Sequence, residues 1–436
     1  MALLLLGVWG ILLLLGLWGL LQGCTRSPSL APRWPPGPRP LPFLGNLHLL
    51  GVTQQDRALM ELSERYGPMF TIHLGSQKTV VLSGYEVVRE ALVGTGHELA
   101  DRPPIPIFQH IQRGGGCWVG HPATSPSHFS SASALTTRHP VFVSLLSLID
   151  QVMVLLGSPG IQLFNTFPRL GAFLRLHRPV LSKIEEVRTI LRTLLETRRP
   201  PLPTGGPAQS YVEALLQQGQ EDDPEDMFGE ANVLACTLDM VMAGTETTAA
   251  TLQWAVFLMV KHPHVQGRVQ EELDRVLGPG QLPQPEHQRA LPYTSAVLHE
   301  VQRYITLLPH VPRCTAADIQ LGGYLLPKGT PVIPLLTSVL LDKTQWETPS
   351  QFNPNHFLDA KGRFMKRGAF LPFSAGRRVC VGKSLARTEL FLLFAGLLQR
   401  YRLLPPPGLS PADLDLRPAP AFTMRPPAQT LCVVPR

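Results

Sequence analysis

The sequence predicts a mainly α fold with minor β sheets, and three observations predict it. Glu230 to Lys261 reads as one long apolar helix. Pro140 to Leu156 and Pro179 to Arg198 carry the 3.6-residue apolar spacing of amphipathic helices. Alternating runs, the mark of strands, are few and short.

Taken in order, residues 1–24 open the chain with an uncharged apolar stretch, Ala2 to Gln22, long enough to cross a bilayer. It reads as a transmembrane anchor. Its nearest charges, Arg26, Arg33 and Arg39, all follow it, which puts the body in the cytosol. A cleaved leader is the alternative, but the basic start and small-residue cleavage pattern of one are missing. Residues 25–42 are proline-rich and read as a stiff, extended hinge, leaving 43–436 as the main domain. A short helix, Leu59 to Tyr66, precedes a hairpin formed by Met69–Leu74 and Thr79–Leu82, with Gly75 near the turn. After the two amphipathic helices and the long apolar one, Pro263 to Leu277 is helical and stops at Gly278-Pro279-Gly280. Tyr293 to Leu308 is a further helix, Ile319 to Ile333 holds short strands, and Lys383 to Tyr401 is the last helix.

Composition excludes several classes. The chain has 436 residues, 44% hydrophobic, enough for a large core. Its formal charge of +7 suits an anionic membrane face or an acidic redox partner. No dense basic run interleaves with aromatics, so nucleic acid is not a partner. The six cysteines are too scattered for a disulfide framework. The sequence contains no phosphate-binding loop, dinucleotide fingerprint, zinc spacing or internal repeat.

The chemistry concentrates near the C-terminus, in Phe373-Ser-Ala-Gly376-Arg-Arg378-Val-Cys380-Val-Gly382. Gly376 and Gly382 let the backbone turn and approach a flat ligand closely. Arg377, Arg378 and the helix N-terminus beyond Gly382 favour thiolate over thiol at Cys380. A thiolate held in this way is a metal ligand or a nucleophile. In the middle of the long helix lies Ala243-Gly244-Thr245-Glu246-Thr247-Thr248, whose glycine and hydroxyls weaken the helix locally and would open a groove. Glu300 and Arg303 share a helix face at i, i+3 spacing.

The Phe-x-x-Gly-x-Arg-x-Cys-x-Gly pattern, matched at all five fixed positions, resembles the haem-binding loop of the cytochrome P450 monooxygenases. The Ala-Gly-x-acid-Thr-Thr and Glu-x-x-Arg segments resemble two further signatures of that family, and its second, microsomal branch, the W subfamily in particular, looks closest. The resemblance implies haem b (iron protoporphyrin IX) with Cys380 as iron ligand, in a loop that includes Phe373. Thr247 would hydrogen-bond iron-bound oxygen, Glu246 would belong to the proton relay, and Ala243 and Gly244 would flank the haem. His310, Arg378 and Arg113 would bind the haem propionates, while Glu300 and Arg303 would be a buried structural pair. The later loop that joins this pair reads Pro354-Asn355-His356-Phe357, with His where the family has Arg, which makes the cluster weaker and pH-dependent. Also implied are NADPH-cytochrome P450 reductase as electron source, cytochrome b5 as a second redox partner, a lipophilic substrate (xenobiotic, fatty acid, retinoid or steroid) and the endoplasmic reticulum membrane.

The chain departs from the family at residues 117–138, which have no acidic residue and no helical period. Relatives carry three helices there, and the span is roughly fifty residues too short for a full member. Trp118 is followed by Pro122, so the family's propionate-holding Trp-x-x-x-Arg pair is missing. The expected fold is therefore a cytochrome P450 fold lacking three helices, with apolar faces of the remaining ones left uncovered. Two alternatives stay open beside monooxygenation: a haem-thiolate isomerase or peroxygenase needing no reductase, and a chain that binds no haem.

Overall fold

The computed structural model describes residues 34–51, 54–112, 140–197, 211–218, 229–278 and 280–436. The anchor at 1–24, the first part of the hinge, Arg113 and the atypical segment 117–138 lie outside the described residues.

The described part is mainly helical, with α1 Gln55–Tyr66, α2 Pro106–Gln112, α3 Pro140–Leu156, α4 Pro159–Thr166, α5 Pro168–Phe173, α6 Arg178–Thr197, α7 Tyr211–Gln218, α8 Glu230–Lys261, α9 Pro263–Leu277, α10 Pro292–Ile305, α11 Leu336–Leu340 and α12 Lys383–Arg400. The long α8 has the bounds its sequence predicts. Helix α10 stops three residues before the expected Leu308, because Thr306 takes a left-handed conformation (φ 42°) and its hydroxyl donates to the Arg303 carbonyl at 3.2 Å. Helices α2, α4, α5, α7 and α11 were not expected; all are eight residues or shorter, too short to show a clear period.

A four-stranded sheet runs β1-β2-β6-β3, from β1 Met69–Leu74, β2 Gln77–Leu82, β3 Arg313–Cys314 and β6 Pro331–Pro334. The β1–β2 pair is the expected hairpin, with Met69 opposite Leu82. Strand β6 joins β2 in parallel, and β3 joins β6 antiparallel. Two small ladders complete the sheets: β4 Ile319–Leu321 with β5 Tyr324–Leu326, and β7 Tyr401–Leu404 with β8 Cys432–Pro435. The described end of the hinge is docked. Thr71 donates its N–H to Pro36 O (2.8 Å) and its hydroxyl to Pro35 O (2.9 Å). A side chain at Gly37 would run into the Thr71 carbonyl.

Helix α8 belongs to two cores. Its C-terminal half packs Trp254, Leu258 and Met259 against α9, α10 and α12. Its N-terminal half packs Leu234, Leu238 and Met242 against α2, α3, α4 and α6. Each fully buried Leu or Phe in such a core contributes ~1.5–3 kcal/mol, so α8 is anchored at both ends and its middle is free to face a cavity. Helix α12 buries Leu390, Phe391, Phe394, Ala395 and Leu398, yet Leu393 is 55% exposed and Leu385 36%. Among the described residues no single helix is long and apolar enough to cross a membrane.

Away from the cavity, Glu300 and Arg303 form a fully buried bidentate pair, with Nε–Oε2 and Nη2–Oε1 both at 2.7 Å. The remaining arginine donors reach the carbonyls of Leu340, Pro349 and Gln351 at 2.8–2.9 Å. His356 does join this cluster. Its Nε2 accepts the Thr348 N–H (3.2 Å), so Nδ1 carries the proton and donates to Glu300 at 3.2 Å.

Candidate active site

One cavity of about 1890 Å³ lies between the middle of α8 and the loop before α12. Ala243, Gly244, Glu246 and Thr247 reach it from α8; Phe373, Arg378, Cys380 and Gly382 reach it from the loop. His310, Arg313 and Arg102 line it as well. Much of the remaining wall is apolar, including Phe108, Leu145, Leu238 and Val241.

The loop is shaped by its own backbone. Cys380 N–H donates to Phe373 O (3.0 Å), and Lys383 N–H to Cys380 O (3.3 Å). Gly376 does not line the cavity. It has φ +72°, and an added Cβ would lie 1.7 Å from the Leu92 carbonyl oxygen. This glycine serves the close approach of two chain segments, not of a ligand, which corrects its expected role. Gly382 does face the cavity, and an added Cβ there would meet no protein atom within 4 Å.

Cys380 is exposed to the cavity although protein surrounds it on the other sides. Burial pushes its thiol up; the N–H of Gly382, the Lys383 ammonium and the Lys383 N–H oppose this. The helix N-terminus acts in the expected direction without outweighing burial, so the thiol is pushed up and not down as expected, and neither arginine is among the groups that oppose this. Arg377 turns to His97, and Arg378 Nε donates to Ala100 O at 2.9 Å.

Helix α8 is not broken at its glycine and threonines. The Thr247 hydroxyl donates to Ala243 O (2.8 Å) and Thr251 to Thr247 O (2.7 Å) within a continuous helix. The groove comes instead from missing side chains, since Ala243 and Gly244 are both exposed to the cavity. Glu246 is buried and bound on both oxygens, by Arg425 and Thr423.

An arginine cluster forms one wall. Strand β3 fixes Arg313, and the backbone bridge from Asp101 to Cys314 (2.8 Å) brings Arg102 beside it. Arg313 Nη2 donates to Arg378 O at 3.2 Å. Burial, with Arg102 and Arg378 beside it, pushes the Arg313 guanidinium down to about 9. Burial and Arg378 push Arg102 to about 10, partly offset by Asp239. Three crowded cations next to an apolar cavity fit a ligand that is flat and apolar with anionic edges. Iron protoporphyrin, with its two propionates, is such a group, and Cys380 is the sulfur on the cavity wall that could ligate its iron. Sequence reasoning passed over Arg102 and Arg313, because a lone Arg in a loop is usually solvated; only the β3 pairing shows their convergence. His310 lines the cavity too, but the charge acting on it is Asp56 of α1, and burial lowers its pKa. Its Nδ1 is buried without a partner.

A family profile described as "Cytochrome P450" matches residues 35–124 and 124–433, most of the chain. The chain belongs to the cytochrome P450 family. It is 85% identical to "Cytochrome P450 2W1" of Mus musculus over 492 positions, covering all of both chains. It is 67% identical to the Homo sapiens protein of the same name, covering 99% of this chain and 98% of that one. "Cytochrome P450 2K6" of Danio rerio is 38% identical over 91% of this chain and 90% of its own length. These similarities place the chain in the W subfamily of the second family. P450 enzymes are haem-binding monooxygenases, and the cavity fits that cofactor. The family match breaks at residue 124, inside 117–138. The mouse alignment has 492 positions against 436 residues here, so 492 − 436 = 56 positions have no counterpart in this chain.

Proposed function

We propose that this P450 inserts one oxygen atom of dioxygen into a lipophilic small molecule, a xenobiotic, fatty acid, retinoid or steroid, with electrons from NADPH through cytochrome P450 reductase and with cytochrome b5 as a second donor. The observation that carries the reading is that Cys380, the α8 groove and the arginine cluster all open on one apolar cavity. Bound haem supplies the oxygen activation. The chain's part is to hold and protonate. Cys380 would be the iron ligand, and the N–H groups of Gly382 and Lys383 partly offset the burial that pushes its thiol up. Arg102, Arg313 and Arg378 hold the propionates, with His310 next to them and Arg113 as a further donor. The groove at Ala243 and Gly244 would leave room beside the bound group, Thr247 lines that space, and the apolar wall would exclude water from it. Glu246 belongs to the proton path behind Thr247. The body sits on the cytosolic face of the endoplasmic reticulum, held by an anchor at residues 1–24.

The reduced, carbon-monoxide-bound absorption spectrum tests this reading. The expressed chain is expected to show the red-shifted thiolate band, and Cys380→Ser to lose it, since a serine hydroxyl stays protonated and donates little charge to iron. Persistence of the band in the variant would remove Cys380 from its role.

A second reading, a chain that binds no haem, is favoured by the break of the family match at residue 124. Absence of any thiolate band from the expressed chain would establish it. The reductase-independent isomerase or peroxygenase separates from the first reading by NADPH dependence of turnover.

A further inference from the structure

Glu246 makes contacts that a free proton carrier would not need. It is 6% exposed, and both of its oxygens are occupied. Arg425 Nε donates to Oε1 at 2.6 Å, and Nη2 donates to Oε2. The Thr423 hydroxyl also donates to Oε1, at 2.6 Å. The third arginine nitrogen, Nη1, donates to Asp150 of α3 at 2.6 Å. One guanidinium thus joins two acids on two helices. The fork geometry matches a carboxylate on both oxygens, the strongest form of this bond.

The segment carrying Arg425 is itself fixed. Phe422 N–H donates to Met153 O of α3 (3.0 Å), and Met424 N–H to Leu307 O (2.9 Å). Trp254 Nε1 of α8 donates to Met424 O at 2.6 Å. Gly157, just past α3, has no room for a side chain, since a Cβ would lie 2.2 Å from the Ala421 carbonyl carbon. Phe422 and Thr423 line the same cavity as Glu246. Neighbours on a helix point about 100° apart, so Glu246 faces this segment while Thr247 faces elsewhere on α8.

We propose that Arg425 is a positioning residue for Glu246. It holds the carboxylate against residues 423–425 and α3, where the Thr423 hydroxyl donates to the same carboxylate at the cavity wall. The consequence for the reaction rests on the assignment of Glu246 to the proton path above. Arg425 and, behind it, Asp150 are the charged groups that meet Glu246; Thr423 is the polar one.

The test uses the full 436-residue chain. Thermal midpoints are measured between about pH 5 and 9 for Arg425→Met, Arg425→Lys, Glu246→Gln and the variant carrying both Arg425→Met and Glu246→Gln. Removing the guanidinium leaves a buried carboxylate uncompensated, and protonation relieves it. The Arg425→Met loss is therefore expected to grow as pH rises. Adding Glu246→Gln in the same background should restore most of the midpoint and abolish the pH dependence, and Arg425→Lys should recover part of it. An Arg425→Met loss equal at every pH, and equal with or without Glu246→Gln as the second change, would overturn the proposal. In haem-loaded protein with reductase, Arg425→Met and Glu246→Gln should both alter the pH profile of product formed per NADPH. A change in Glu246→Gln alone would overturn the positioning role. No change in Glu246→Gln would instead strike the relay assignment, while the stability cycle still decides the pairing.

Discussion

At the scale of single residues, the burial of charge decides most outcomes. Arg303 and Glu300 are fully buried and satisfied by each other, by three carbonyls, by the Asn353 N–H and by His356. Removing one partner of such a pair costs about 3–5 kcal/mol, because the other charge stays buried. Arg303→Leu is therefore expected to give no soluble folded protein, measured as yield and thermal midpoint, whereas an exposed arginine such as Arg417 changed to Leu should be tolerated. His299 makes a different kind of test. Its Nδ1–H donates to Ser295 O at 2.7 Å, and its ring packs among Phe357, Phe364 and Phe370 at centroid distances of 4.7–5.4 Å. Burial lowers its pKa from 6.5 to about 4. A folded pKa below the unfolded one means this stability is fully present above the unfolded value of 6.5 and is lost as pH falls toward about 4. The thermal midpoint should drop across that window, and His299→Phe should flatten the drop. An equal drop in the variant would assign the effect to other groups.

At the scale of elements, legibility followed periodicity. The bounds of α8, α3 and α9 and the β1–β2 hairpin were readable because each carries a long or clean apolar pattern. The short α4 and α5, and β3 with its two residues, carry none, so the arginine cluster that β3 assembles was unreadable too. The Cys380 loop was legible as a motif but not in the division of labour between its glycines. Gly376 holds a left-handed turn against the Leu92 carbonyl, so Gly376→Ala adds both backbone strain and a clash. Haem retained per chain should fall steeply in that variant, read from the pyridine haemochrome spectrum against protein concentration. Gly382→Ala, which meets no protein atom, should bind haem more nearly as the parent does. Equal retention in both would remove the packing argument. The α8 groove makes a complementary prediction. Thr247→Ala keeps the helix and should keep haem, but it removes the hydroxyl at the groove, so NADPH consumption should turn from product to peroxide. Unchanged coupling would count against Thr247.

At the scale of the whole molecule, the governing fact is what stands beside α8 and α12. The mouse alignment runs over 56 positions more than this chain has, and the family match breaks at residue 124. Helix α12 carries apolar residues on nearly every side, and its exposed Leu393 and Leu385, like Val379 and Val381 of the Cys loop, line the open cavity. A helix apolar on every side is a helix built to be covered. Exposed apolar surface forgoes about 25 cal/mol per Å², against a net stability of about 5–15 kcal/mol for a whole domain. The same region would hold the Trp-x-x-x-Arg donors that the resemblance expects, so on the proposed reading the propionates would rest on Arg102, Arg313 and Arg378 among the described residues of the cavity wall. Both effects act in one direction: the chain should accumulate poorly and retain haem weakly. Replacing residues 117–138 with the corresponding segment of the mouse relative should raise both the yield and the height of the thiolate band. Expression conditions and haem precursor supply must be equal in the comparison. A parent chain that already gives a full, stable thiolate spectrum and turns over substrate would mean that residues 117–138 cover α12 and the haem edge themselves, and that the 56 positions are dispensable.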